Sequence, residues 1–141
     1  EMRDLETISL ALTAAETGHL VFATLHTSGA PKTVDRIIDV FPAAQQNQVR
    51  AMFAESIQAV ITQALFRRKD GKGRVAAFEI MIATPAVRNL IREAKIAQIP
   101  SIMQTSRAIG MQTMEAACQD LVNRNLVNRE DVAYYISTFR G

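Results

Sequence analysis

The stretch His19-Leu-Val-Phe-Ala-Thr-Leu-His26, followed by the polar Thr27-Ser-Gly29, decides the fold. A strand solvated on one face alternates apolar and polar residues. This run is short and densely apolar, which predicts a buried parallel strand. On its N-terminal side, Leu5, Ile8, Leu12 and Ala15 recur at helical spacing. Asp4 can cap that helix by accepting orphan backbone N–H groups, and Gly18 suits the left-handed turn at its end. The spacing predicts a helix over 5–17. On the C-terminal side, Pro31 fits the first turn of a helix over 32–39. Helix, strand, turn and helix in succession is the α/β pattern.

Further along, Pro42 precedes a long helical pattern from Ala43 to about Ala64, with Val49, Phe53, Ile57, Val60 and Ile61 on one face. Ala64–Lys69 and Arg74–Ile82 flank Asp70-Gly-Lys-Gly73 and predict a hairpin whose turn uses glycines at positive φ. Thr84-Pro85 is a cap followed by proline, opening a helix over 86–93. Pro100 and Gly110 break the next stretch. A helix over 112–123 directs Met114, Cys118 and Leu121 inward, and Asn128 caps a last helix over 129–136. Neither internal repeats nor low-complexity segments occur.

Composition narrows the class. The 141 residues are 48% hydrophobic and 21% charged, as in a globular chain with a buried core, and a disordered tail is excluded. A net charge of +2 does not indicate nucleic-acid binding. One cysteine, Cys118, rules out a disulfide framework and a multi-cysteine zinc site, and its apolar surroundings suit an inert core thiol. No apolar run approaches the length of a membrane span, and Glu1-Met-Arg-Asp4 is not the start of a signal peptide. Because position 1 leads directly into a helix signal, a chain cut from something larger is expected.

Four clusters carry possible chemistry. Glu1, Asp4 and Glu6 gather near a helix N-terminus, where acids favour the dipole. His26 and Thr27 lie at the carboxyl end of the expected strand, where ligands bind in parallel sheets. An imidazole there either donates to a phosphate or satisfies a local partner. His19, at the other end, lies about 23 Å away on a rise of roughly 3.3 Å per residue, so the two histidines cannot share one metal on this strand. Arg67–Arg74 holds five basic residues and one acid, which is either a solvated tip or a surface for an acidic partner. Finally, Ala86–Glu93 carries Val87, Leu90 and Ile91 on one face and Arg88 and Arg92, four apart, on another. Neither a Gly-x-x-x-x-Gly-Lys-[Ser/Thr] phosphate loop, nor Gly-x-Ser-x-Gly, nor His-Glu-x-x-His occurs.

Taken together, these motifs resemble the second half of a PilT-type ATPase, the family of motors that retract type IV pili. Glu1-Met-Arg-Asp-Leu-Glu-Thr-Ile8 resembles the family's Walker B segment. Ala15-Glu-Thr-Gly-His-Leu-Val-Phe-Ala-Thr-Leu-His-Thr27 resembles its His box, and Val34-Asp-Arg-Ile-Ile-Asp-Val-Phe-Pro42 continues the match. Ala86–Glu93 resembles the family's Ala-Ile-Arg-Asn-Leu-Ile-Arg-Glu helix, differing at Val87. The similarity runs from Glu1 to about Asn128 and leaves out the last dozen residues, with Tyr134-Tyr135.

The resemblance implies an α/β fold: over 1–83 the C-terminal part of a RecA-like ATPase core, with a partial parallel sheet and a hairpin, then a helical extension over 84–141. It implies a homo-hexamer of cytoplasmic subunits at the inner-membrane face of the pilus machine. These would bind ATP and Mg²⁺ and engage the inner-membrane platform protein, with neither nucleic acid nor a membrane span. Glu1 falls on the Walker B carboxylate, expected to hold the attacking or magnesium-bound water. His26 falls near the γ-phosphate and His19 on a structural position; Arg3 falls on the Walker B arginine. Arg88, Asn89, Arg92 and Glu93 fall on the helix linked to retraction.

The Walker A loop, the Asp box and the N-terminal sensory domain of the family have no counterpart in this sequence. The complete protein is therefore expected to be an ATPase and this stretch alone inactive. Pilus-assembly and type II secretion relatives typically carry a four-cysteine zinc insertion in this half, and the short basic hairpin in its place favours the retraction branch. Two alternatives stand beside it: a related assembly or type II secretion ATPase, and a non-enzymatic module docking an acidic partner through Arg67–Arg74.

Overall fold

A computed structural model describes residues 1–140, the backbone alone at Arg140. The first helix, α1 (Leu5–Glu16), starts where a capping box closes: Asp4 Oδ1 accepts from Thr7 N–H at 2.9 Å, and the Thr7 hydroxyl reaches back to the Arg3 and Asp4 amides. Ile8 and Leu12 face the core. Gly18, at φ +95°, turns the chain out of the helix.

Residues 19–27 differ from expectation. Among the described residues this stretch joins no ladder, so the partial parallel sheet is not formed. One bond, Met2 N–H to the Thr24 carbonyl at 2.9 Å, lies beside it. Leu20 and Phe22 are exposed, Phe22 at 90%. A strand exists through its neighbours, and an apolar run without them is not one.

Two helices follow, α2 (Ala30–Asp39) and α3 (Ala43–Ser56). The first is strongly amphipathic, burying Val34, Ile37 and Ile38, and Pro31 sits in its first turn. The second ends eight residues sooner than its periodicity suggests. Ile57 is extended, and β1 (Ala59–Arg67) begins two residues later. Within β1 the buried set is Thr62, Ala64 and Phe66, a period of two. Nine residue pairs with β2 (Arg74–Ile82), in register from Ala59 opposite Ile82 to Arg67 opposite Arg74, outweigh helical spacing in the Val60-Ile61-Thr62 run. This antiparallel hairpin is the sheet present, closed at its tip through Gly71 and Gly73 at positive φ.

Helix α4 (Pro85–Arg92) opens as expected, the Thr84 hydroxyl accepting from Val87 N–H. Pro100 does not break the chain: it lies in the first turn of α5 (Ile99–Thr105), where a missing N–H costs nothing. Gly110, at φ +99°, ends a short 3₁₀ turn. Helices α6 (Met114–Asn123) and α7 (Arg129–Arg140) complete the order, α7 running four residues past its expected end.

The apolar residues form two clusters. One unites α1 to α5 with Met81 and Met111. The other sets the buried face of the hairpin, Ala64, Phe66 and Ala77, against α6 and α7. Tyr135 packs edge-on to Phe66 with ring centres 5.3 Å apart, while Tyr134 is exposed. Among the described residues no helix is long and apolar enough to cross a membrane.

Candidate functional site

Met2 N–H donates to Thr24 O, so the segment before α1 runs beside the end of the His19–His26 stretch. That backbone link aligns Glu1 with His26. Glu1 Oε1 lies 3.0 Å from His26 Nε2 and 3.6 Å from Arg3 Nε. Arg36, from α2, reaches the Arg3 carbonyl at 3.4 Å. Three residues singled out from the sequence, Glu1, Arg3 and His26, thus meet. The cluster is open: the side chains of Glu1 and His26 are 39% and 84% exposed. A carboxylate beside an imidazole can orient water and accept its proton, and the imidazole donates through whichever nitrogen carries hydrogen.

Behind His26 the loop is fixed by hydroxyls. Thr27 Oγ1 and Thr33 Oγ1 are 2.7 Å apart, and the Thr33 hydroxyl donates to the Gly29 carbonyl at 2.9 Å. His19 belongs elsewhere: its Nδ1 lies 3.2 Å from the Ala14 carbonyl and 3.3 Å from the Thr17 hydroxyl, at the end of α1.

The α4 residues form a separate group. Arg88 does not point at solvent. Its Nη1 donates to the carbonyls of Ala54 (2.5 Å) and Glu55 (2.7 Å) in the last turn of α3. Arg92 pairs with the Glu55 carboxylate and with Asn89 Oδ1, and its guanidinium holds Glu55 below the usual carboxylate range. Glu93 pairs with Lys95 at 2.8 Å. Among the described residues no hydrogen bond or ion pair joins this group to Glu1 or His26.

At the hairpin tip, Arg68 grips Asp70 through two nitrogens, and with the Lys72 amide holds its carboxyl down at about 2. Lys69 donates to Asn125 at 2.8 Å, and its amide to the Leu126 carbonyl. Two of the five basic residues are therefore engaged within the chain.

One residue escaped the sequence reading. Glu79, 6% exposed, lies on the core face of β2 between Ala77 and Met81. The period of two would have flagged it: an acid on the core side of a strand needs partners.

A family model described as Type II/IV secretion system protein matches residues 1–133. The chain is 65% identical to a twitching motility protein of Neisseria gonorrhoeae over 130 residues, 92% of this chain and 35% of that protein. It is 61% identical to the type IV pilus retraction ATPase PilT of Pseudomonas aeruginosa over 131 residues, 93% and 38% of the two chains. A crystal structure of the pilus retraction motor PilT with bound ADP superposes with a TM-score of 0.84 at 48% identity, covering 94% of this chain and 36% of that one. The chain therefore spans little more than a third of the length of the curated relatives it matches. On a family match that takes in the Glu1–His26 pair, the hairpin and α4 together, the chain belongs to the type II/IV secretion system protein family.

Proposed function

We propose that this chain is the portion of a pilus-retraction ATPase subunit running from the Walker B acid through a helical C-terminal extension, and that the complete protein is a cytoplasmic hexameric motor at the inner-membrane face of the pilus machine. The division near residue 84 between ATPase core and extension, and engagement of an inner-membrane platform protein, belong to the same reading. What supports it is the 3.0 Å approach of Glu1 to His26, together with the likeness to retraction ATPases.

Glu1 accepts a hydrogen bond from the attacking water and so turns its lone pair toward the phosphorus. His26 donates to a phosphate oxygen. While Nε2–H is given to Glu1, the ring donates outward only through Nδ1, which requires the imidazolium; with Glu1 turned to water, Nε2 itself is available. Arg3 supplies positive charge beside Glu1 and keeps its carboxylate in place. Among the described residues no group of three acidic, histidine or cysteine side chains gathers to hold a metal. A single carboxylate nevertheless suits Mg²⁺, which takes few protein ligands and keeps its waters and the phosphates. Glu1 would hold it through water, and the ion would neutralise charge on the phosphates. Arg88, Asn89, Arg92 and Glu93 form the coupling helix in this reading, transmitting rather than hydrolysing.

The test is Glu1→Gln in the full-length protein. The amide keeps the shape and loses the charge, so turnover falls roughly 10²–10³-fold with ATP binding retained. Near-normal kcat would remove Glu1 from the site. The isolated 141-residue chain, lacking a phosphate loop, should show no turnover.

A further inference from the structure

The geometry points to Glu79 as a positioning residue that clamps the start of α2 to the start of α6, and thereby holds the loop that carries His26 against the C-terminal helices. This rests on the reading of Glu1 and His26 as the nucleotide-facing pair.

Glu79 Oε1 accepts from Ala30 N–H at 2.9 Å, and Oε2 from Met114 N–H at 3.4 Å. Ala30 and Met114 are the first residues of α2 and α6. Each helix start carries about half a positive charge, so two of them match one carboxylate. Among the described residues no cation pairs with it. The two ends are not equally dependent. Helix α6 has its own cap, the Thr113 hydroxyl accepting from Ala116 N–H. The cap of α2 is Gly29, which has no side chain to offer. Its first amide is served from a strand 49 positions away in sequence.

The hold continues to the site. At Gly29, with φ +110°, an added Cβ would come within 3.1 Å of the Phe139 ring on α7 and 3.4 Å of Glu79 Oε1. The Gly29 carbonyl takes the Thr33 hydroxyl, which touches Thr27, the residue after His26. One continuous set of contacts thus runs from α6 through Glu79, Ala30, Gly29, Thr33 and Thr27 to His26 and Glu1. Glu79 is also costly to keep. Burial pushes its carboxyl up, Glu115 adds to that, and the two backbone donors only partly oppose it. An apolar residue would avoid that penalty but leave the buried Ala30 amide without its acceptor. Retaining an acid there makes sense when its two oxygens must hold two elements at once.

The experiment compares Glu79→Gln and Thr33→Val in the full-length protein with ATP as substrate. In Glu79→Gln an NH₂ group replaces one acceptor oxygen. We expect amide protection to fall at least tenfold at the helix start that faces the new NH₂, in 27–34 or in 113–118, kcat to fall at least tenfold, and KM to stay within threefold. Thr33→Val cuts the link between Gly29 and Thr27 and leaves the carboxylate alone. It should lower kcat similarly and lose protection in 27–34 only. Unchanged protection at both helix starts in Glu79→Gln, or reduced stability with unchanged kcat, would overturn the clamp. If Glu79→Gln fails to assemble, Thr33→Val decides: unchanged kcat there overturns it. A Glu1→Gln protein that still turns over ATP would instead defeat the reading of the Glu1–His26 pair, and the exchange data would still judge the clamp.

Discussion

Arg88 Nη1 lies 2.5 Å from the carbonyl oxygen of Ala54, and the same nitrogen serves the Glu55 carbonyl. The last carbonyls of a helix lack partners within it, and a cation there also meets the negative end of the dipole. Arg88 therefore ties α4 to α3 within one chain. Arg88→Ala should destabilise the protein by about 1.5–3 kcal/mol, the range for hydrogen bonds to a charged group. Arg92→Ala breaks an ion pair with an exposed Glu55 and should do little. Urea unfolding of the two single variants checks this order, and an equal or larger effect at Arg92 would contradict it.

The inward face of α4 gives a second ranking. Val87 and Ile91 are fully buried, whereas Leu90 is only partly so. Ile91→Ala should cost about 2–5 kcal/mol, the transfer term plus the cavity left behind. Leu90→Ala should cost clearly less. Denaturant midpoints at unchanged slope are the measurement.

How far these features were legible follows from how local they are. Asp4 with Thr7, Thr84 with Val87, and the glycine-rich tip between Arg67 and Arg74 each close within a few residues, and each forms as read. Residues 57–61 are ambiguous because Ile57, Val60 and Ile61 satisfy helical spacing over so short a run. Only the buried alternation of Thr62, Ala64 and Phe66 against β2 settles them. The strand expected at 19–26 needs neighbours that no local pattern supplies. At the site, Glu1 and His26 were legible as types in a motif, but their contact depends on the Met2–Thr24 bond. Arg88 looked outward because the carbonyls it serves lie more than thirty positions away.

Cys118 should behave as a core thiol. It is fully buried, and burial pushes its thiol up to about 11. A thiol reagent at neutral pH should label the native protein only at the rate of unfolding, and denatured protein at once. The sign of its pH dependence is fixed. Between pH 9 and about 11 the unfolded chain loses this proton while the folded chain keeps it, so stability falls as pH rises through that window. Cys118→Ala should flatten that part of the stability curve, and an unchanged alkaline slope would show that other groups set it.

The two histidines separate most sharply. His26 Nε2 faces Glu1 at 3.0 Å, whereas His19 Nδ1 faces the Ala14 carbonyl at the end of α1. In the full-length protein, His26→Ala removes a donor from the site, and kcat should fall roughly 10²-fold. His26→Gln restores one N–H donor without an ionisable ring and should recover part of that loss. His19→Ala removes a contact at a helix end, which alters local stability and leaves turnover near wild type. The measurement is steady-state ATPase activity of the three variants, with hexamer formation confirmed by light scattering. A larger loss of kcat for His19→Ala than for His26→Ala, in intact hexamers, would reverse the assignment of the two residues. Equal, small effects from both would leave Glu1 without an imidazole partner in the reaction.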